Sequence, residues 1–285
     1  MTTIDVIIKE LILNSQTTNN NDIANGYSVF TYRNGDVYKG NWKNNKKNGF
    51  GIFKLTNNEY YIGEWLDNKM NGYGKYYYKN GHTYVGNWVS NLHEGYGEFI
   101  YSRGDIYKGN WKNDKKSGHG FIKFANMNEY YIGEWLDDRM NGYGKYQYDN
   151  GNYYEGEFKD DDEHGDGKMI YVNGNKYIGE FQNGNKHGFG KIEYANDDLY
   201  TGDWIDDKRN GFGKMVYYTN DITYNGEWKD NKKHGIGTIT FPLTCASNGD
   251  LLPIDEYSGE WKNDVCIDYY NYLKSIKKAN KPSPQ

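Results

Sequence analysis

The sequence predicts an all-β protein, an elongated antiparallel meander or solenoid of about ten tandem β-hairpin repeats with short helical segments at both termini. A motif of Tyr, Gly and Trp or Phe at positions i, i+2 and i+4 occurs ten times, 23 or 24 residues apart until the last step. A Gly-x-Gly follows nine of the ten motifs about seven residues later. Because a unit this short cannot bury its own apolar face, neighbouring units must stack.

The Tyr-x-Gly-x-Trp motif, called the anchor below, predicts the first strand of each repeat. Its Tyr, Gly and aromatic residue share one face of a strand, because side chains alternate between the two faces. All eight Trp occupy the fifth position of an anchor, and Phe158 and Phe181 take the other two. The anchors begin at Tyr38, Tyr61, Tyr84, Tyr107, Tyr131, Tyr154, Tyr177, Tyr200, Tyr224 and Tyr257.

The Gly-x-Gly, followed by apolar residues of the same parity, predicts a second strand that opens on these glycines. Dipeptides that favour tight turns with positive φ stand between this strand and the next anchor. They are Asn34-Gly35, Asn80-Gly81, Asn150-Gly151 and Asn173-Gly174. Each repeat is therefore predicted to be one hairpin.

Composition favours a folded chain despite a mean hydropathy of -1.03. Aromatic residues make up 18% and the net charge is only -5. Each Tyr or Trp buries roughly 150–250 Å², which replaces the missing Leu and Val. Cys245 and Cys266 are expected to be free thiols. The apolar N-terminal stretch is too short and too charged for a signal peptide or membrane span, so a cytoplasmic protein is expected.

Three segments are predicted along the chain. Residues 1–25 would form a short helix and an Asn/Thr-rich tether, residues 26–262 the repeat array, and residues 263–285 a capping helix with a flexible tail. For the N-terminal helix, capping and partner docking are equal alternatives, whereas capping is favoured for the C-terminal helix. About ten extra residues before Tyr257 predict a bulging loop with Pro242, Cys245 and Pro253.

From about Gly26 to Trp261, the ten anchors with their Gly-x-Gly resemble the MORN (membrane occupation and recognition nexus) repeat. Ser28 departs from the pattern, since it replaces the second Gly of a partial opening unit. The resemblance implies a role like those of the family in cytoskeletal and ciliary assemblies, at membrane junctions or beside enzymes. It also implies binding to anionic phospholipids.

The sequence predicts no catalytic site, no cofactor and no metal site. His164, His187 and His234 each precede a Gly-x-Gly, so they repeat at one structural position and do not converge on a nucleophile. The dinucleotide motif requires a Gly-x-Gly that opens a helix, whereas this one lies in a strand. The loop from Asp160 to Glu163 is interpreted as a solvated acidic face or a docking patch for a basic partner, ahead of a calcium site.

Three clusters of lysine in one loop register are the candidate lipid or anion contacts. They lie three and five repeats apart, roughly 30 and 50 Å, which exceeds the Debye length of about 8 Å, so each would act alone. Weak membrane attachment is expected, and nucleic acid is disfavoured for the same reason. The clusters are Lys43, Lys46 and Lys47, then Lys112, Lys115 and Lys116, then Lys229, Lys232 and Lys233.

The middle residue of the Gly-x-Gly points away from the anchor Tyr and is often aromatic, which predicts a ladder of protein contacts. The alternative, that these rings shield the sheet backbone, has equal weight. The ladder consists of Phe50, Tyr73, Tyr96, Tyr143, Phe189 and Phe212.

The sequence therefore favours a non-enzymatic scaffold that binds other proteins or itself, with no small-molecule substrate. Peripheral binding to phosphoinositides is the alternative, and a regulatory subunit for an enzyme on another chain is a weaker one. The expected location is cytoplasmic, at a membrane or the cytoskeleton.

Overall fold

A computed structural model describes residues 25–241 and 256–267. Strands joined by short turns account for most of these residues, which confirms the all-β hairpin prediction. The predicted N-terminal helix, the tether up to residue 24, the C-terminal segment beyond residue 267 and the loop before Tyr257 fall outside the described residues. The predicted segment boundaries stay predictions.

The chain divides into two compact units, Met1–Met140 and Asn141–Gln285. In the first unit each strand pairs antiparallel with the next, from β1 to β10. The strands are β1 (Asn25–Thr31), β2 (Val37–Lys43), β3 (Lys46–Lys54), β4 (Tyr60–Leu66), β5 (Lys69–Tyr77), β6 (Thr83–Val89), β7 (Leu92–Ile100), β8 (Ile106–Lys112), β9 (Lys115–Lys123) and β10 (Tyr130–Leu136).

Strand β11 (Arg139–Gln147) contains the boundary between the units. From β11 to β21 each strand again pairs antiparallel with the next. A 3-10 turn at Tyr218–Asn220 precedes β18. The strands are β12 (Tyr153–Lys159), β13 (Asp162–Ile170), β14 (Lys176–Gln182), β15 (Asn185–Glu193), β16 (Leu199–Ile205), β17 (Lys208–Tyr217), β18 (Ile222–Lys229), β19 (Lys232–Thr240), β20 (Glu256–Lys262) and β21 (Val265–Cys266).

The anchor Tyr occupies the centre of each repeat. The nine anchor tyrosines from Tyr38 to Tyr224 have no exposed surface. The Tyr61 hydroxyl, for example, donates to the Glu64 carbonyl at 3.0 Å. Its ring covers Gly63 and Gly74, which lie opposite each other on β4 and β5. A Cβ at Gly74 would stand 2.2 Å from the Tyr61 hydroxyl oxygen, so this position must be Gly while the ring lies there.

The Trp of each anchor packs between successive tyrosines within a unit. The Trp65 ring lies 5.2 Å from Tyr61 and 5.5 Å from Tyr38, nearly perpendicular to both. Edge-to-face contacts of this kind add to the free energy gained from burial. The indole N–H of Trp65 also donates to the Gly51 carbonyl at 3.4 Å. Each unit therefore has a continuous aromatic core on one face of its sheet.

The Gly-x-Gly lies in the middle of the second strand as a β-bulge, and does not open that strand as the sequence suggested. Gly63 pairs with Gly74 but Trp65 pairs with Met70, so β5 contributes the extra residues. The first glycine, Gly72, takes φ +85°, where an L side chain would be strained. The Glu64 carboxylate accepts the Tyr73 backbone N–H at 3.1 Å and so caps the bulge.

Two-residue turns between the strands of a hairpin link each repeat to the one before it. Asp67 and Asn68 both have positive φ, 48° and 70°, as a type I′ turn requires. The Asn68 side-chain oxygen accepts the Lys47 backbone N–H at 2.8 Å. In return the Asn68 N–H donates to the Lys47 carbonyl at 3.0 Å. The same reciprocal pair joins Asn91 to Met70, Asp114 to His93, Asp207 to Lys186, Asn231 to Arg209 and Asp264 to Lys233.

The turns at the other edge of the sheet follow the predicted Asn-Gly dipeptides. Gly35 takes φ +88°, and its N–H donates to the Tyr32 carbonyl at 2.9 Å. Asp36, just after this turn, accepts the Thr56 backbone N–H of the next repeat at 2.9 Å. Both edges of the sheet are thus held by side chain to backbone hydrogen bonds between repeats.

Replacing Gly213 by Ala tests the contact of the anchor Tyr with its glycines. The new Cβ would lie 2.3 Å from the Tyr200 hydroxyl oxygen, so the ring must move. We expect the free energy of unfolding to fall by about 2 kcal/mol or more. Urea unfolding followed by Trp fluorescence measures it. Val172→Ala, at a 72% exposed turn residue, is the control and should change it by less than about 0.5 kcal/mol.

Candidate functional site

The middle residue of each Gly-x-Gly in the first unit, like Tyr27 at the equivalent position of β1, carries a ring on the face opposite the anchor tyrosines. The exposed fractions of Phe50, Tyr73 and Tyr96 are 56, 58 and 60%. Successive rings stand two strands apart, roughly 9.6 Å. The members of this first ring row are Tyr27, Phe50, Tyr73, Tyr96 and His119.

Two members of the first ring row escaped the sequence prediction. Tyr27 pairs with Asn41 just as Phe50 pairs with Glu64, so it holds the same position one repeat earlier. It was hidden because Ser28 replaces the second Gly of the motif. His119 lies in a regular Gly-x-Gly, but the sequence prediction included only Phe and Tyr at this position.

The second unit has a shorter row on the equivalent positions. Asp166 interrupts it after Tyr143, whose ring is 52% exposed. Beyond Asp166 stand Phe189, Phe212 and Ile236, with exposed fractions of 58, 56 and 62%. These three, two aromatic rings and one aliphatic side chain, form the second ring row.

The bulge holds the backbone of the second ring row in place. Each row residue donates its backbone N–H to a carboxylate on the neighbouring strand, at 2.8 to 2.9 Å. The pairs are Phe189 with Glu180, Phe212 with Asp203 and Ile236 with Glu227. The second ring row is therefore presented by paired, capped backbone and not by loops.

The first two lysines of each predicted cluster face each other across a hairpin turn. Their acidic neighbours reduce the local charge, since Lys46 and Lys115 lie 3.4 Å from Asp67 and Asp137 respectively. The cross-strand pairs are Lys43 with Lys46, Lys112 with Lys115 and Lys229 with Lys232.

The third lysine of each cluster turns toward the aromatic core. Lys47 is only 8% exposed, and its Nζ lies 3.9 Å from the Phe53 ring centre and 4.2 Å from that of Trp65. Burial lowers the pKa of Lys47 to about 8. Lys116 and Lys233 are half-buried over Trp135 and Trp261 at 4.4 and 5.3 Å. This placement corrects the prediction that Lys47 reaches an anionic surface.

Exposed apolar residues stand among the lysines of the hairpin-turn edge. In the first unit Leu66, Val89 and Leu136 are 50, 49 and 55% exposed. Leu66 pairs with Lys69 across its turn, and Val89 pairs with Leu92. This edge therefore combines basic and apolar side chains, which the lysine pattern alone did not reveal.

The acidic loop of the second unit is a hairpin turn. Asp160 and Asp161 take φ values of 52° and 78°. Glu163 faces the core, where the Tyr148 hydroxyl donates to its carboxylate, and burial raises the pKa of Glu163. In the described parts of the chain, no three His, Cys, Asp or Glu side chains form a group that could hold a metal ion. No helix among the described residues is long and apolar enough to cross a bilayer.

His93 fills the core position that Lys47 occupies two repeats earlier along the chain. It is 6% exposed and stacks on Tyr84, with ring centres 3.8 Å apart. The Tyr78 hydroxyl lies 2.9 Å from its Nε2. Burial lowers the pKa of His93 to about 4, although Asp114, 3.4 Å from Nδ1, acts in the opposite direction.

Comparison with protein families gives one match. A model described as MORN repeat matches residues 38–60, 61–83, 84–106, 107–126, 131–153, 154–176, 177–199, 200–222, 224–242 and 257–266. No curated protein matches the chain.

Two solved structures share limited similarity with the chain. One is the TCP domain of Drosophila melanogaster SAS-4 (dCPAP) in complex with a proline-rich motif of Ana2 (dSTIL). It is 14% identical, with coverage of 55% of this chain and 85% of that one and a TM-score of 0.34. The other is the TCP10 domain of Danio rerio CPAP with a STIL peptide, at 10% identity, coverage of 81% and 99%, and a TM-score of 0.27.

The buried His93 predicts a loss of stability in acid. Its pKa is about 4 in the folded chain and 6.5 when unfolded, so protonation favours the unfolded state. The contribution of His93 to the free energy of unfolding is fully present above its unfolded pKa and falls as the pH drops from 6.5 toward 4. By about pH 4.5 the loss should reach about 2–3 kcal/mol.

His93→Met isolates this effect, because Met70 occupies the equivalent core position in the preceding hairpin. Urea unfolding of both proteins at neutral pH and at about pH 4.5 measures it. Between neutral pH and about pH 4.5, the free energy of unfolding should fall by about 2–3 kcal/mol less in the variant than in the parent. Equal losses would show that His93 does not titrate with the fold.

Proposed function

The chain belongs to the MORN repeat family, and we propose that it is a non-enzymatic scaffold that binds protein partners through its ring rows. MORN repeats indicate an interaction or scaffold role in general. The particular surface and the class of partner are our proposal.

The first ring row is the observation that supports this proposal most. Large apolar side chains exposed in a regular row mark interaction sites on soluble proteins. Aromatic side chains are also enriched among the residues that dominate binding energy. Because the paired sheet already fixes the backbone below each ring, little conformational entropy is lost on binding.

Exposure also favours contact over shielding. A ring that only covered the sheet backbone would lie flat on it and lose most of its accessible surface. Phe50, Tyr73 and Tyr96 keep more than half of theirs, between 56 and 60%. A partner surface would remove this area from water and gain about 25 cal/mol for each Å² buried.

The repeated polar residues support a scaffold and not an enzyme. The anchor carboxylates cap bulges, and the Asx residues of the turns bond to the preceding repeat. The anchor hydroxyls donate to backbone carbonyls. These groups already have structural partners, so the periodic part of the sequence is accounted for by the fold. We place the protein in the cytoplasm, at a cytoskeletal or membrane surface.

Affinity capture from the native cell tests the proposal. The bait with Phe50, Tyr73 and Tyr96 all changed to Ser should lose the proteins that the parent bait retains. Leu66→Ser with Val89→Ser, exposed residues on the hairpin-turn edge of the same unit, is the control and should retain them. Identical retention by all three baits would overturn the proposal. Capture of an enzyme by the first ring row would assign the regulatory-subunit role, and capture of a second copy would assign self-association.

Peripheral binding to anionic phospholipid is a second candidate, and the mixed edge of basic and apolar residues favours it. Each lysine near an anionic leaflet contributes about 1 kcal/mol. Exposed apolar side chains such as Leu66 and Leu136 add burial at the interface. The pairing of Lys46 and Lys115 with aspartates reduces the attraction, so binding should be weak and reversible.

Co-sedimentation with phosphatidylserine and phosphoinositide vesicles at low and high salt tests this candidate. Changing Lys43, Lys46, Lys112 and Lys115 to Glu should abolish pelleting at low salt. A variant of equal charge, with Lys75, Lys145, Lys191 and Lys214 changed to Glu, lies away from this edge and should still pellet. If the parent stays in the supernatant at low salt, lipid binding is excluded for these vesicles. Equal pelleting of the parent and the first variant would move the site elsewhere.

A further inference from the structure

We propose that the second ring row binds an acidic segment in the polyproline II conformation, with Pro or another apolar residue against each side chain of the row and acidic residues beside them. This inference rests on the proposed function and names the chemistry of the partner at one of its surfaces. Its support comes from the charge beside the row and from the spacing of the row.

A lane of exposed lysines runs beside the second ring row. Lys168, Lys191 and Lys214 each follow a middle Gly-x-Gly residue by two positions, so they lie on the same face as the rings. Lys191 is paired with Ile178 on one side and with Thr201 on the other. No acidic residue therefore stands directly across from it.

Two acidic residues near the lane have ion-pair partners. Glu155, which stands across from Lys168, forms an ion pair with Lys145 at 3.0 Å. Glu193 pairs with Lys176 at 3.3 Å. The carboxylates that cap the bulges accept backbone N–H groups within the ring row itself. Acidic side chains of a partner would therefore be drawn to the lysine lane and repelled from the ring row.

The spacing of the rings selects the conformation of the partner. Successive rings stand roughly 9.6 Å apart, the width of two strands. Polyproline II advances about 9.3 Å in three residues and returns to the same face. A β-strand returns after about 6.7 Å, and an α-helix needs seven residues and about 10.5 Å. Only the three-residue period stays in step along the three side chains of the row.

The same period places acidic residues on the lysine lane. In polyproline II, positions one residue apart lie on different faces, so one position of each triplet can contact the rings while another faces the lysines. The three side chains of the row span roughly 19 Å, which about seven residues of polyproline II cover. Because the sheet twists, a straight segment would leave the row beyond this length.

The first ring row lacks the lysine lane and so should not select acidic segments. Its equivalent positions carry Ile52, Lys75 and Glu98. The Lys75 Nζ lies over the Tyr77 ring at 4.4 Å, and Glu98 forms an ion pair with Lys108 at 2.9 Å. The first row therefore serves as an internal control.

Fluorescence anisotropy of labelled peptides with the full chain tests the inference. A Pro-Pro-Glu triplet peptide of about twelve residues should bind at least about tenfold more tightly than a Pro-Pro-Lys peptide or a Gly-Ser-Glu peptide of equal length. Phe189→Ala with Phe212→Ala should weaken binding by about tenfold or more. Charge reversal of the lane, with Lys168, Lys191 and Lys214 changed to Glu, should weaken binding by a similar factor. The control, Phe50→Ala with Tyr73→Ala in the first ring row, should keep the affinity within about twofold of the parent.

Each other result overturns the inference. Equal binding of the Gly-Ser-Glu peptide would mean that charge alone is recognised, and loss of binding in the first-row variant would place the site in the first unit. No binding of the Pro-Pro-Glu peptide would also end it. The scaffold proposal is judged separately, because protein capture that depends on a ring row but not on this peptide leaves the scaffold standing.

Discussion

The close approach of each anchor Tyr to a pair of opposed glycines is the constraint on which the rest of the fold depends. The Tyr61 ring lies flat over Gly63 and Gly74 because neither has a Cβ. Its hydroxyl is then close enough to bond the carbonyl three residues on, at 3.0 Å. This arrangement buries a large polar ring without leaving its hydroxyl unsatisfied, which a chain with few aliphatic residues requires.

The candidate surface follows from the same constraint. In the bulge beside the glycine pair, Gly72 takes positive φ and the Glu64 carboxylate accepts the Tyr73 amide. Since the glycine positions carry no side chain, the residue between them provides the side chain on the opposite face. The core on one face thus fixes the backbone of this residue, whose ring lies on the other face. Core and candidate site are thus two faces of one motif.

The sequence was sufficient for the period, the hairpin and the face on which each anchor residue lies, because these follow from spacing alone. The sequence did not predict the burial of Lys47. The pairing of Lys47 with Trp42 depends on the position of the two-residue turn, which the pattern did not locate. The sequence did not predict Tyr27, because Ser28 replaces the second Gly of the motif. No described anchor Tyr precedes Ser28, so no Tyr ring requires a glycine at this position. The hydrogen bond between Asn68 and Lys47 joins different repeats, so no pattern within one repeat could indicate it.

The reciprocal hydrogen bonds of the turns have a consequence for how such a chain changes length. Asx turn residues such as Asn91, which bonds to Met70, are joined to the hairpin immediately before them. A whole repeat can therefore be gained or lost by duplication or deletion, and every remaining turn still finds a partner. The number of rings in a row would then change in whole steps of roughly 9.6 Å, and the length of peptide that it can match would change by three residues at a time.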